Sequence, residues 1–279
     1  MPIARPRELE DALAFLAATP DADVLAGGTD ALVEISFDHR RPEHVLALRR
    51  IEELRAHAVD DDGITLGAMV TYRGVEDALA ADAPGLAMAS RTVGSPQIRN
   101  AGTIGGNLGT ASPAGDALPW LLAMDADVEL ASVRGRRRVP LGAFLTGPKR
   151  TDRADDELIV AAHVPRIRGP QHTAKLGPRN AMVISVACVA VVVDTDARRV
   201  RIGMGSVGPT AMRAPEAEAT VSAAIDWDAL VADDEAIAAF GRDCAAAARP
   251  IDDHRSSADY RRHAIGVLAS RALRRCLSA

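Results

Sequence analysis

The sequence predicts an α+β protein: a mixed helix-and-strand region over residues 1–165, followed by a smaller α+β layer over 172–279. Three features predict it. Short apolar strand patterns alternate with helical spacings through the first half of the 279-residue chain. A mixed Arg, Gly and Pro stretch at 166–171 reads as a linker. Beyond it, two apolar strand patterns precede two helical ones, the order expected of a separate layer of sheet and helices.

Each element has its own signal. Leu9, Ala12, Leu13 and Leu16 recur at helical spacing and predict an amphipathic helix over 7–18. Residues 23–26 form a short apolar strand feeding a Gly-Gly turn, and 31–36 follow with helical or mixed character. A strand at 44–48 and a helical turn at 51–54 complete a small α/β unit, residues 1–57. The next unit, 58–165, opens with a strand at 63–67 and a helix at 71–79 capped by Thr71. Residues 84–91 and 118–124 read as helices on either side of a glycine-rich run. Residues 127–133 and 136–139 pair as a hairpin turning at Arg134-Gly135, and 157–164 form a strand. After the linker, 183–193 is a long apolar strand or buried segment, turned at 194–197 and partnered by 200–207. Helices at 227–249, with Asp226 as candidate cap, and at 257–277 end the chain. In the last of these, Tyr260, Ala264, Val267, Leu268, Arg271 and Leu273 share one face.

Composition narrows the function. Apolar residues at 48% and charged residues at 25% are ordinary for a soluble globular chain, while 3% aromatics imply aliphatic cores. A net charge of −5 makes no electrostatic case for nucleic acid. Arg134, Arg136, Arg137 and Arg138 bracket Gly135 and read as a solvated hairpin tip. No signal-peptide pattern opens the chain, and no apolar run approaches the roughly 18 residues of a membrane span. Cys188, Cys244 and Cys276 are far apart and form neither a disulfide framework nor a C-x-x-C site, which points to a reducing, cytoplasmic setting. An iron–sulfur cluster takes four thiolates, so any such centre must sit on a partner. The histidines show no metal-ligand spacing and no G-x-S-x-G elbow is present, which argues against metal hydrolysis and serine catalysis.

The chemistry concentrates in two glycine-rich elements. Residues 101–116 read AGTIGGNLGTASPAGD, a run too flexible and polar for a core. Glycine admits φ > 0 and close approach to a ligand, and successive free amides make a concavity suited to a diphosphate. A second element, LAGGTD, occupies 25–30 between an apolar strand and a helix. Together they read as two walls of one dinucleotide site. Neither fits G-x-G-x-x-G or the lysine-bearing phosphate loop, so a Rossmann or P-loop fold is a poor reading.

The wording of both elements is more specific than their glycines. The pattern A-G-G-x-[ST]-[DL] occurs, one residue shorter, from Ala26 to Asp30, and T-I-G-G-N-[ILV]-x-x-A-S-P-x-x-D-x-x-P runs unbroken from Thr103 to Pro119. FLTGPKRT follows at 144–151, DELI at 156–159 ahead of Pro165, KLG at 175–177 and SADYRRH at 257–263. On these motifs, which span nearly the whole chain, it resembles the FAD-binding medium subunits of the molybdenum hydroxylases, the carbon monoxide dehydrogenase and xanthine dehydrogenase family.

The resemblance implies a two-subdomain FAD-binding fold of the PCMH/VAO-like type over 1–165 and a CO dehydrogenase flavoprotein C-terminal-like domain over 172–279. It places FAD between Leu25, Ala26, Gly27, Gly28, Thr29 and Asp30 on one side and Ala101, Thr103, Ile104, Gly105, Gly106, Asn107, Thr110 and Ser112 on the other. Amides near 26–29 and 104–107, with neighbouring hydroxyls, would meet the diphosphate without any Lys or Arg. Asp116 would bond the adenosine ribose, capping of the following helix being its alternative role. Ile159 would lie near the adenine, or be plain core. Lys175 would stand at the pyrimidine edge of the isoalloxazine, steadying charge at N1 and O2, or be an exposed strand lysine. Val93 takes a place where relatives carry an aromatic, so packing there is aliphatic. By the same resemblance the chain carries electrons from two [2Fe–2S] centres on a small subunit to an external acceptor. Substrate oxidation belongs to a large molybdopterin-binding subunit, in a dimer of heterotrimers. The alternatives are a self-sufficient flavin oxidase and an assembly subunit with a decayed FAD site.

Overall fold

The computed structural model describes residues 2–278. The chain opens with β1 (Ile3–Ala4), α1 (Leu9–Ala18), β2 (Asp23–Leu25), α2 (Ala31–Ser36) and β3 (Val45–Ala47). The strands form a parallel three-stranded sheet in the order β1-β3-β2. Helix α1 covers it with the expected stripe, Leu9, Ala12, Leu13 and Leu16. One 3-10 turn, Leu48–Arg50, precedes the helical turn expected at 51–54, and a second, Glu53–Arg55, overlaps its end.

The second unit is built on an antiparallel sheet. Its elements are β4 (His57–Val59), β5 (Gly63–Gly67), α3 (Tyr72–Ala78), α4 (Pro84–Arg91), α5 (Pro96–Ala101), α6 (Ile104–Thr110), α7 (Leu118–Ala123), β6 (Asp127–Ser132), β7 (Gly135–Pro140), α8 (Leu141–Phe144), β8 (Leu145–Gly147), β9 (Arg150–Thr151) and β10 (Leu158–Pro165). Five strands pair in the order β4-β5-β10-β6-β7. Thr71 caps α3 as expected, its hydroxyl accepting from Gly74 N at 3.0 Å. The hairpin arginines are paired: Arg134 with Asp156, Arg136 with Glu53 and Glu129, Arg137 with Asp152 and Glu157. They lace the sheet edge and form no free basic patch.

The last region contains β11 (Gln171–Leu176), β12 (Ala187–Asp194), β13 (Arg199–Gly205), α9 (Pro215–Ala224), α10 (Asp234–Ala247) and α11 (Ala258–Leu277). Its strands form an antiparallel sheet, β11-β12-β13. Every residue of β12 is buried because both sheet faces are covered. Ala190 and Val192 join the core around Trp120 and Phe144, whereas Val189, Val191 and Val193 face Phe240 and Leu273. The strand expected over 183–193 starts only at Ala187.

Two expectations fail at the C-terminal helices. Residues 227–233 do not join α10, whose cap is Asp233, accepting from Ala236 N at 2.6 Å. Asp226 instead closes a turn, accepting from Asp228 N and Ala229 N at 3.0 and 3.1 Å. In α11 the buried face runs through Arg261, Ala264, Ile265, Ala269, Ala272, Leu273 and Cys276, and Tyr260 is 52% exposed. Arg261 is tolerated inside because its guanidinium donates to Val186 O and Ser206 O, both at 2.9 Å, and to Asp253. Among the described residues, no helix is long and apolar enough to cross a membrane.

Candidate dinucleotide site

A cavity of about 930 Å³ lies between the parallel sheet and the antiparallel unit. Its first wall is the turn from β2 into α2, residues 25–30. Gly28 takes φ +75°, which lets the chain leave the strand and enter the helix. Gly27 is required for closure: a Cβ there would stand 1.9 Å from Ala101 O. Among the described residues, the amides of Gly27, Gly28, Thr29 and Asp30 have no acceptor in the protein. Four successive donors border the cavity.

The second wall differs from the expected flexible loop. The TIGGN run folds as α6, capped by Thr103, with Ile104 and Leu108 fully in the core. Its first amides are already used. Ile104 N donates to Val70 O at 2.9 Å, Gly105 N to Ala68 O at 2.9 Å, Gly106 N to Thr103 Oγ1 at 3.0 Å and Asn107 N to Thr103 O at 3.0 Å. Backbone donation from 104–107 to a diphosphate is therefore not what this wall offers. Neither Gly105 nor Gly106 has a positive φ. They serve close packing: a Cβ on Gly105 would meet Ala68 Cβ at 2.6 Å, and one on Gly106 would reach within 3.7 Å of Ala26 Cβ across the cleft. Beside the glycines at 105, 106 and 109, α6 and the following turn bring Asn107, Thr110 and Ser112 to the cavity, and their side chains are the polar groups this wall offers.

Two further groups of residues line the cavity. One is mainly aliphatic and includes Val24, Leu48, Leu158 and Ile159. The other gathers Tyr72, Val93, Gly94 and Asp116. Asp116 Oδ2 accepts from Lys175 Nζ at 2.6 Å, and the same ammonium donates to Thr92 O at 3.1 Å. Lys175 is shielded behind Asp116 and does not itself line the cavity. Burial pushes the Asp116 carboxyl up to about 6, against the lowering pull of Lys175. Burial, aided by the Asp116 charge, also drives the Tyr72 phenol far above its usual range.

These contacts revise three sequence expectations. No helix amide donates to Asp116, and the cap position of α7 is Ala117 with no side-chain bond, so the capping alternative falls. Asp116 and Lys175, assigned to the adenosine ribose and the flavin pyrimidine edge, form one ion pair and so address one place. Ala101 and Ile104 do not line the cavity: the first offers its carbonyl to the Gly27 contact, and the second is core.

The structure also adds cations that the sequence did not suggest. Arg40, Lys149 and Arg153 line the cavity. Arg40 pairs with Asp23, and Lys149 reaches Glu34 of α2 from the opposite unit. Arg153 donates to the carbonyls of Ala154, Asp155 and Glu157. Lys149 lies within the FLTGPKRT motif, the one signal that could have singled it out.

The cavity fits FAD on its own chemistry. Among the described residues, Asn107 Oδ1 and Asp116 Oδ1 are buried acceptors with no partner, matched to ligand hydroxyls. The unpaired amides of the first wall match phosphate oxygens.

Fold and site together define a chain built around one dinucleotide-sized cleft between a parallel-sheet unit and an antiparallel-sheet unit. Residues 1–167 match the family described as the FAD binding domain in molybdopterin dehydrogenase, and 172–276 match the CO dehydrogenase flavoprotein C-terminal domain. The chain is 31% identical to the xanthine dehydrogenase FAD-binding subunit of Escherichia coli O157:H7, over 99% of this chain and 95% of that protein. It is 29% identical to the carbon monoxide dehydrogenase medium chain of Hydrogenophaga pseudoflava, over 96% and 94%. A chain of the reconstituted CO dehydrogenase from Oligotropha carboxidovorans superposes with a TM-score of 0.90 at 29% identity, covering 100% of this chain and 98% of that one. The chain thus belongs to the FAD-binding medium subunits of the molybdenum hydroxylases, and is an FAD-dependent oxidoreductase subunit.

Proposed function

We propose that this chain receives electrons from [2Fe–2S] centres on a small partner subunit and passes them to an external acceptor. The large molybdopterin-binding partner oxidises the substrate, and the assembly is a dimer of heterotrimers. Bound FAD supplies the redox chemistry. The chain's residues bind it, orient it and set the charge around it.

Residues 1–165 hold the cofactor, and 172–279 back it through Lys175. The free amides of Gly27, Gly28, Thr29 and Asp30 take the diphosphate. Asn107 Oδ1 and Asp116 Oδ1 accept from hydroxyls of the ribityl chain, with Thr110 and Ser112 adding side-chain donors. The aliphatic group at Leu48, Leu158 and Ile159 receives the adenine, and the Asp116 side of the cavity receives the flavin. Lys175 acts through Asp116, holding its carboxylate in place and compensating its charge. The observation that carries the reading is the meeting, in one cleft, of four unpaired amides with two unpaired buried acceptors. Three free, buried cysteines support a reducing compartment, the cytoplasm.

Denaturing the purified protein and identifying the released ligand chromatographically tests the site. FAD is expected, and recovery of FMN alone would overturn the dinucleotide reading. Tagged chain isolated from its native cell should bring down a large molybdopterin-containing partner and a small iron–sulfur partner. A yellow chain that arrives alone and oxidises a substrate by itself would establish the self-sufficient oxidase instead.

A further inference from the structure

Val93 and Gly94 line the cavity beside Asp116, and three consecutive carbonyls of their turn are held by cations reaching in from other elements. Lys175 Nζ donates to Thr92 O at 3.1 Å. Arg99, on α5, donates from one guanidinium nitrogen to Val93 O at 3.1 Å and to Gly94 O at 3.4 Å. Its Nε lies 2.9 Å from Glu76 Oε1 on α3, an ion contact off hydrogen-bond alignment. Both side chains are largely shielded, at 15% and 11% exposure. Gly94 has φ +45°, and a Cβ there would stand 2.7 Å from Ile98 Cγ2, so the turn is pressed onto α5. Arg99 itself does not line the cavity.

A left-handed turn outside any strand ladder has several backbone arrangements open to it. Charge-assisted bonds from a shielded guanidinium select one of them, and the low local dielectric strengthens the choice. We propose that Arg99, braced by Glu76, is a positioning residue for the flavin: through two carbonyls it fixes the Val93–Gly94 turn as the flavin-side wall. This rests on the assignment of the Asp116 side of the cavity to the flavin. Glu76 and Arg99 thus do for one face of that side what Lys175 does for Asp116 on the other.

The test uses the full chain, wild type against Arg99→Lys and against the paired variant Arg99→Met/Glu76→Met, in which no charge is left buried alone. Four properties are measured: the visible spectrum and midpoint potential of the FAD-saturated protein, the FAD dissociation constant, and the affinity of the apo-chain for ADP. In the paired variant FAD binding should weaken about tenfold, with a shifted potential, altered visible bands and unchanged ADP affinity. Arg99→Lys keeps a cation and a donor and should restore part of the wild-type potential. It also gives the same readouts should the paired variant fold poorly. Wild-type potential and spectrum in the FAD-saturated variants would reduce Arg99 to a structural residue and overturn the proposal. ADP affinity lowered tenfold with flavin properties unchanged would place the turn at the adenylate, and both the flavin-side assignment and the proposal would fail.

Discussion

Asp116→Asn is the substitution whose outcome the structure constrains most tightly. One carboxylate oxygen is taken by Lys175 at 2.6 Å, and the other is buried without a partner beside the cavity. If that oxygen accepts a hydroxyl of FAD, loss of the charge-assisted bond costs about 1.5–3 kcal/mol, or roughly one to two orders of magnitude in affinity. The pH dependence is the sharper test. Burial holds the free carboxyl at about 6, and FAD binding as proposed favours the carboxylate. Above that value affinity should be flat. Below it the proton must leave before FAD can bind, so the dissociation constant should rise by up to about tenfold per pH unit. Among the described residues, no histidine lines the cavity to blur this window. The Glu34 and Glu157 carboxyls there are held below their usual range, by Lys149 and Arg137 respectively. Titration of apo-protein with FAD between pH 5 and about 8, followed by flavin fluorescence, measures it. The asparagine variant should bind more weakly and with a flat profile across the same range. A wild-type affinity that does not change between pH 7 and about 5, or a variant that keeps the wild-type profile, would refute the role given to Asp116.

Two glycine substitutions probe the walls separately. Gly27→Ala puts a methyl 1.9 Å from Ala101 O, a backbone collision that must part the walls. A protein depleted of flavin and melting lower than wild type is expected, and normal flavin content would show that the walls do not need this contact. Gly106→Val adds branches between α6 and Ala26, beyond a Cβ that already crowds Thr103 Oγ1 at 2.9 Å. It should yield a folded, colourless chain with a modest loss of about 0.5–2 kcal/mol from the disturbed cap. Full flavin occupancy, read as visible absorbance per protein, would exclude close approach of the cofactor to this helix.

What the sequence made legible, and what it hid, follows from where each signal lives. Helix α1 and the two long strands of the last sheet carry their burial as a period or an apolar run, so local pattern suffices. Helix α6 contains three glycines in seven residues, each costing about 1 kcal/mol of helix propensity. It forms because Ile104 and Leu108 anchor it in the core and Gly105 lies flush on Ala68, contacts no local pattern reveals. Strand β4 was missed because all three of its residues are exposed. Tyr260, expected on the shared face, is exposed and its neighbour Arg261 is buried, because buried carbonyls and Asp253 await a guanidinium there. The site shows the same division. The motifs named the two walls, but whether an amide is free depends on its partners: those of 27–30 are open while those of 104–107 are spent on Val70, Ala68 and Thr103.

The pairing of Asp116 with Lys175 has a consequence for how the parts of the chain depend on each other. Asp116 belongs to the motif that builds the cofactor wall, and Lys175 lies on β11 of the last sheet. Removing either partner by substitution would leave the other charge shielded without its counter-charge, a cost of about 3–5 kcal/mol. The same sheet is tied to the same loop a second time, through Ser206 N donating to Pro113 O at 2.8 Å. Ser206 is in turn fixed by Arg261 of α11. A chain of polar contacts therefore runs from the SADYRRH motif through Ser206 and Pro113 to the loop that carries Ser112 and Asp116. A ligand that binds only the folded site stabilises everything on which the site depends. FAD bound to this loop should accordingly stabilise the last sheet and α11 as well as the two walls it touches. On the proposed reading the C-terminal region, though it lines little of the cavity, contributes to holding the cofactor.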